Sequence, residues 1–131
     1  MYIAVDFDGT IVTHKYPDIG QDIGAFPWLK KFRDAGARLI LWTMRNDSKE
    51  SGPVLSDAVR FCLDQGIEFF GINHNPSQLS WTDSPKAYAH IYIDDMAFGC
   101  PLVTPVTGRA YVDWSVVGPA VLRLLTGAPN D

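Results

Sequence analysis

Cysteine is scarce: Cys62 and Cys100 are the two thiols in 131 residues. Two cysteines cannot build a disulfide scaffold, and their separation matches no metal-ligand spacing, so both are expected to be reduced and mostly buried. Long apolar runs are missing as well. The longest, such as Leu39–Trp42 and Ala97–Cys100, fall far short of the roughly 18 residues that span a bilayer. No membrane association is expected. Positive charge is not in excess: 11 Lys and Arg stand against 15 Asp and Glu, a formal net charge of -4. That balance disfavours non-specific binding to nucleic acid or anionic lipid. No basic segment precedes the first apolar run, and Asp6 interrupts that run at once. A secretory signal is therefore not expected, and the expected compartment is the cytoplasm.

What is present is ordinary for a globular domain, with 47% apolar and 20% charged residues. A chain of this length buries about two thirds of its unfolded surface and needs no staple to fold. No repeat, low-complexity tract or linker divides it, so residues 1–131 are read as one domain.

Short apolar runs punctuate the chain at Tyr2–Val5, Arg38–Thr43, Glu68–Ile72 and His90–Ile93, with a weaker fifth at Arg109–Val112. Such near-continuous runs suit strands buried on both faces of a parallel sheet. Helical spacing falls between them, at Phe26–Ala35, Pro53–Asp64 and Ser115–Leu125, where Gly118-Pro119 predicts a late start or a kink. Alternating strand and helix predict an α/β fold, a three-layer α/β/α sandwich around a mainly parallel five-stranded sheet. Trp28, Trp42 and Trp114 are expected in the core, and Trp81 near an entrance.

The polar residues with chemistry follow the strands. Asp6-Phe7-Asp8-Gly9-Thr10 leaves the first strand directly, Gly9 allowing a sharp turn, and Asp94-Asp95 leaves the HIYI strand in the same way. Strands paired side by side would gather three or four carboxylates at one edge, which is costly unless a cation neutralises them. Oxygen-only ligands suit Mg²⁺, a hard cation that usually shares a phosphate with its protein ligands. Thr43 ends the second strand and offers a hydroxyl to a phosphate oxygen; Lys86, before Asp94, offers a positive charge, with Lys49 as the reserve. Arg45 and Asn46 follow Thr43 and are expected to face the crevice, where Arg45 would clamp an anionic group. Asn73-His74-Asn75-Pro76 ends the third strand near the rim. A carboxylate nucleophile, a second carboxylate, a hydroxyl, a lysine and a metal are the parts that aspartyl-phosphate chemistry needs.

These four segments, in this order, resemble the motifs of the haloacid dehalogenase (HAD) superfamily, in its phosphatase branch. DFDGT at 6–10 matches the first motif, Thr43 the second, Lys86 the third and Asp94-Asp95 the fourth. The resemblance implies a Rossmann-like core, with Asp6 as nucleophile and Asp8 as general acid/base. It implies Mg²⁺ held by Asp6, the Asp8 carbonyl and Asp94, with Asp95 beside it or in its place, and Thr43 and Lys86 on the phosphoryl group. Gly9, Thr10, Arg45, Asn46 and His14 complete the expected substrate-binding set. Residues 11–24, which carry His14 and Lys15, would form a hairpin flap. The gaps between motifs leave no room for a cap domain, so the site would be open to solvent, or closed by a neighbouring subunit of a homo-oligomer. The implied partner is a phosphorylated substrate, small or larger with an exposed phosphate. The rival reading is a metal-binding or phospho-accepting interaction module without turnover.

Overall fold

Four of the apolar runs hydrogen-bond into one sheet. In the computed structural model, which describes residues 1–127, β1 (Tyr2–Val5), β2 (Arg38–Leu41), β3 (Gly71–Ile72) and β4 (Ile91–Ile93) are all parallel, in the order β3-β2-β1-β4. Ile3, Ala4, Val5, Ile40 and Leu41 are almost fully buried, as expected of strands covered on both faces. The register places Val5 beside Leu41 on one side and Ile93 on the other. Asp6, Trp42 and Asp94 therefore emerge together at the carboxyl edge of the sheet. The ladder runs one step further, through Asp6 N–H to the Ile93 carbonyl at 3.0 Å and Trp42 N–H to the Val5 carbonyl at 2.8 Å.

Three helices flank the sheet: α1 (Ala25–Asp34), α2 (Val54–Asp64) and α3 (Trp114–Thr126). The apolar stripe Phe26, Leu29 and Phe32 of α1 is buried in the core formed with Ile3, Val5, Leu39 and Leu41. Phe26 meets Phe61 of α2 at 5.8 Å between ring centroids, and Phe32 meets Trp114 of α3 at 6.3 Å. The α3 helix starts at Trp114, capped by Asp113, whose carboxylate accepts from Ser115 N–H, and it carries Pro119 inside it rather than starting late. The glycine before that proline has a packing reason. A Cβ on Gly118 would lie 2.2 Å from the Trp28 ring, so only glycine lets α3 approach α1 there.

One expectation needs correction. The fifth strand is shorter and elsewhere: β6 (Tyr111–Val112) pairs antiparallel with β5 (Leu102–Val103) in a separate two-stranded ribbon. The ribbon packs on the loop after β1 instead of joining the sheet, with Val112 N–H donating to the Gly9 carbonyl at 2.9 Å. The connection from β3 to β4 holds no α-helix. The return from β3 to β4 must cross the sheet, and its one regular element is a 3-10 turn at Pro76–Gln78. That connection is held by side chains instead of helical bonds. Buried Asn75 donates to the Tyr88 carbonyl, and buried Gln78 bonds to the Lys86 carbonyl and to Tyr88 N–H.

Of the tryptophans, Trp114 is fully buried and Trp28 and Trp42 are half-buried. Cys62 is buried and its thiol is pushed up to about 12 by that burial; Cys100 is half-buried. Among the described residues, no helix is long and apolar enough to cross a membrane.

Candidate active site

The site is built on the loop after β1. Its chain turns at Gly9, which has φ of +80°, and the turn is tight: a Cβ there would lie 2.1 Å from His14 Nε2 and 2.5 Å from Asp95 Oδ2. Gly9 thus serves by having no side chain, which lets two functional groups close over it. Thr10, fully buried, points its hydroxyl between two strands' ends. Its Oγ1 lies 3.1 Å from Asp6 Oδ2 and 3.4 Å from Asp95 Oδ1, and it accepts from Asp95 N–H at 3.1 Å. Trp114 Nε1–H donates to the Thr10 carbonyl at 2.7 Å, tying this turn to α3.

Three carboxylates converge here. Asp6, Asp94 and Asp95 each offer an oxygen, and these oxygens all lie within 4.8 Å of one another. Burial, followed by the charge of Asp94, pushes the Asp6 carboxyl from its ordinary 3.8 up to about 8. A negative charge on Asp6 is therefore held at a cost that a cation would relieve. The two members of the second acidic pair differ. Asp95 is buried, with Oδ2 engaged by His14 Nε2 at 2.8 Å and Oδ1 beside Thr10. Asp94 is half-buried, lines the cleft, and accepts from Met96 N–H at 2.9 Å.

Asp8 faces a different partner. Arg45 grips it in a fork, Nε to Oδ2 at 2.9 Å and Nη2 to Oδ1 at 2.8 Å. The same guanidinium donates to the carbonyls of Pro17 and Asp18 and of Val54 at the start of α2. These contacts occupy its donors fully, and the residue is 2% exposed. The flap is present as residues 11–24: Val12 and Asp22 form an antiparallel bridge, and Thr13 N–H donates to the Gln21 carbonyl at 2.9 Å. It brings His14 to Asp95 and Tyr16 to the cleft wall.

Thr43 stands at the cleft floor, its N–H donating to Asn73 Oδ1 at 2.8 Å and its Oγ1 accepting from Arg45 N–H at 3.1 Å. The cleft beside Asp6, Asp8, Thr43 and Asp94 has a volume of about 590 Å³, in the range of small-molecule sites. A somewhat larger cavity of about 660 Å³ lies at the opposite edge of the sheet, beside Arg38 and Phe70. It carries no carboxylate cluster.

No family model and no curated relative matches this sequence. Among solved structures, a conserved protein coded by a locus from Bacteroides thetaiotaomicron superposes with a TM-score of 0.73 at 36% identity, over 92% of this chain and 88% of that one. The chain belongs to the same family as that protein. At 92% coverage the two proteins share most of one backbone.

Within that backbone the expected site residues divide. Asp6, Asp8, Gly9, Thr10, His14, Thr43, Arg45, Asp94 and Asp95 are brought together. Arg45 does not clamp a ligand, however; it is consumed by Asp8 and by three carbonyls. Asn46 is exposed and lines no part of the cleft, its carbonyl accepting from Ser51 Oγ at 3.0 Å. Lys86 is displaced too. It is exposed, its Nζ lies 5.6 Å from the Tyr92 ring centroid, and with Trp81 it lines a separate pocket. The reason is the one that its position implies: it precedes β4 and so sits toward the amino end of a strand whose carboxyl end forms the site. Lys49 and Lys15 are exposed and line no part of the cleft either. His74 turns back onto the Ile72 carbonyl. Asn73, expected near the rim, is there, held at φ of +57° with its Oδ1 accepting from Thr43 N–H. Sequence reasoning missed Arg109, which the ribbon brings to the cleft and which carries no motif of its own. Arg109 was read as the start of a core strand.

Proposed function

We propose that this protein is a Mg²⁺-dependent phosphatase that hydrolyses a phosphomonoester through an aspartyl-phosphate on Asp6, on an uncapped α/β core of the HAD type. One observation carries the reading: the carboxylate oxygens of Asp6, Asp94 and Asp95 share a space of 4.8 Å at a common strand edge. The donor set fits the cation, since it is all oxygen and partly buried. Asp94, open to the cleft, suits a direct ligand; Asp95, engaged by His14 and Thr10, suits a supporting role. Bound by Asp6, Asp94 and the Asp8 carbonyl, Mg²⁺ supplies the positive charge that favours ionised Asp6 and offsets the phosphoryl charge.

The chain's own residues carry the rest. An Asp6 oxygen attacks phosphorus as the bond to the ester oxygen breaks, and Asp8 gives a proton to that leaving oxygen. A water then attacks the phosphorus, passes a proton to Asp8, and frees phosphate and Asp6. Thr10 orients the Asp6 carboxylate, and Thr43, which lines the same cleft, offers its hydroxyl to the phosphoryl group. The role of Asp8 requires one of its oxygens to turn from Arg45 toward the leaving group. The rim is apolar, with Met44 97% exposed beside Tyr16 and Met96, which suits a leaving group with apolar bulk.

The Arg45 fork favours a second reading. With both Asp8 oxygens engaged, Asp6 can accept a phosphoryl group without passing it to water, as a phospho-accepting module would. Turnover of p-nitrophenyl phosphate separates the two. The phosphatase reading expects Mg²⁺-dependent turnover that is lost with EDTA and in Asp6→Asn. Stable phosphorylation of Asp6 by acetyl phosphate, without turnover, would establish the other.

A further inference from the structure

Four carboxylates, Asp6, Asp8, Asp94 and Asp95, line the cleft, and Arg45, buried among them, has no donor left over. A phosphoryl dianion entering this cleft meets more negative charge than one divalent ion offsets. Neither lysine expected to help reaches it: Lys86 lies over Tyr92, and Lys49 is outside the cleft. Arg109 does reach it. This arginine is exposed at the cleft rim and, among the described residues, its side chain has no hydrogen bond or ion pair with the protein. Its placement is not that of a free loop. Three residues on, Val112 N–H donates to the carbonyl of Gly9 in the catalytic turn at 2.9 Å, and Asp113 N–H donates to the Pro101 carbonyl at 2.9 Å. The β5–β6 ribbon is thereby pinned to the same turn that carries Asp6 and Asp8.

We propose that Arg109 is the residue that binds the substrate's phosphoryl group, in the role expected of Lys86. A guanidinium suits it: its planar fork meets two phosphoryl oxygens at once, and it remains charged at any working pH. An unpaired guanidinium facing an acidic cleft also gives the entering anion a favourable approach that the net charge of -4 would otherwise deny. The ribbon, which the sheet does not need, then has a function: it carries a cation to the open side of an uncapped site. This inference rests on the phosphatase reading for its chemistry, but its test does not depend on turnover.

The test has two arms on the full-length protein. In the first, inorganic phosphate is titrated calorimetrically into wild type, Arg109→Ala, Arg109→Lys and Lys86→Ala, with and without Mg²⁺. Phosphate affinity is expected to fall at least tenfold in Arg109→Ala and to be partly restored in Arg109→Lys, with an unchanged melting temperature. In the second arm, kcat/KM for p-nitrophenyl phosphate is expected to fall at least tenfold in Arg109→Ala. That substrate has no second anionic group, so an unaffected rate would mean that Arg109 does not bind the reacting phosphoryl group. If Lys86→Ala removes phosphate binding while Arg109→Ala spares it, the assignment is overturned. Phosphate binding that depends on Arg109 in a protein that turns over nothing would keep the inference and remove the phosphatase. A wild type that binds no phosphate at millimolar concentration would remove the inference.

Discussion

Arg45 and Asp8, 37 residues apart in the chain, meet in a two-bond fork at 2.9 and 2.8 Å, and the arginine is the better buried of the two. Because its remaining donors hold Pro17, Asp18 and Val54, this side chain joins the turn after β1, the flap and the start of α2. Arg45→Ala leaves three carbonyls and a carboxylate without their donor. Loss of one partner from such a buried pair costs about 3–5 kcal/mol, and Arg45→Lys should recover little because an ammonium cannot reproduce the fork. Urea unfolding at neutral pH measures it. A loss below about 1 kcal/mol, the range of exposed ion pairs, would show that the fork does not hold the flap.

Asp6 sets a pH dependence with a definite sign. Its carboxyl is pushed up to about 8 in the folded protein, first by burial and then by Asp94, against an ordinary 3.8. The folded state therefore binds this proton more tightly than the unfolded chain. Its contribution to stability is fully present below about pH 4 and is lost as pH rises toward 8. Without metal, Asp6→Asn should gain stability relative to wild type across that window. Urea midpoints of both proteins at pH 5, 6.5 and 8 in EDTA test this. Parallel curves would mean that Asp6 is not held against its charge. Mg²⁺ at a hundredfold excess over Kd should then stabilise wild type by about 2.7 kcal/mol, and Asp6→Asn by much less.

Much of this arrangement was legible from residue order alone, and the failures have physical causes. DFDGT and Asp94-Asp95 were readable because each follows a buried parallel strand, and a strand's end fixes where the next side chain emerges. Their convergence then needed only that β1 and β4 be neighbours, as they are. Arg45 was placed correctly but given the wrong partner. Nothing local tells an arginine whether it will meet a ligand or a carboxylate 37 residues away. Arg109 was obscured because a two-residue strand in a ribbon has the same composition as a short strand in a core. What orders the loop from β3 to β4 left no local signal: it is held by buried Asn75 and Gln78, and such side-chain bonds have no period.

The α2 helix has an unusual cap. Pro53 stands at its N-cap and offers no side-chain acceptor. Asp47 supplies one from further back, with Oδ1 accepting from Leu55 N–H at 2.8 Å and Ser56 N–H at 3.0 Å, and Oδ2 accepting from the Ser56 hydroxyl. The Ser56 hydroxyl first, then its backbone N–H, holds the Asp47 carboxyl below its ordinary value. This stabilisation is present above that ordinary value and is lost as pH falls through the folded one. Asp47→Ala should melt below wild type at pH 7, and the gap should close as the pH drops below about 4. A gap that stays constant with pH would assign the effect to the loop's packing rather than to the carboxylate.

Trp114 links the core to the chemistry through one atom. Its Nε1–H donates to the Thr10 carbonyl at 2.7 Å, while the Thr10 hydroxyl lies between Asp6 and Asp95. Trp114→Phe keeps a ring against Phe32 but removes the donor, leaving a buried carbonyl unsatisfied at a cost of about 1–3 kcal/mol. The effect should extend beyond stability. With Thr10 free to shift, Asp6 loses the hydroxyl that orients it, so kcat for p-nitrophenyl phosphate should fall severalfold with little change in KM. Thr10→Val, which removes the hydroxyl and leaves the Trp114 bond intact, should reproduce the kcat loss without the whole stability loss. If Trp114→Phe melts lower yet turns over at the wild-type rate, the tryptophan supports only the core, and the orientation of Asp6 comes from elsewhere.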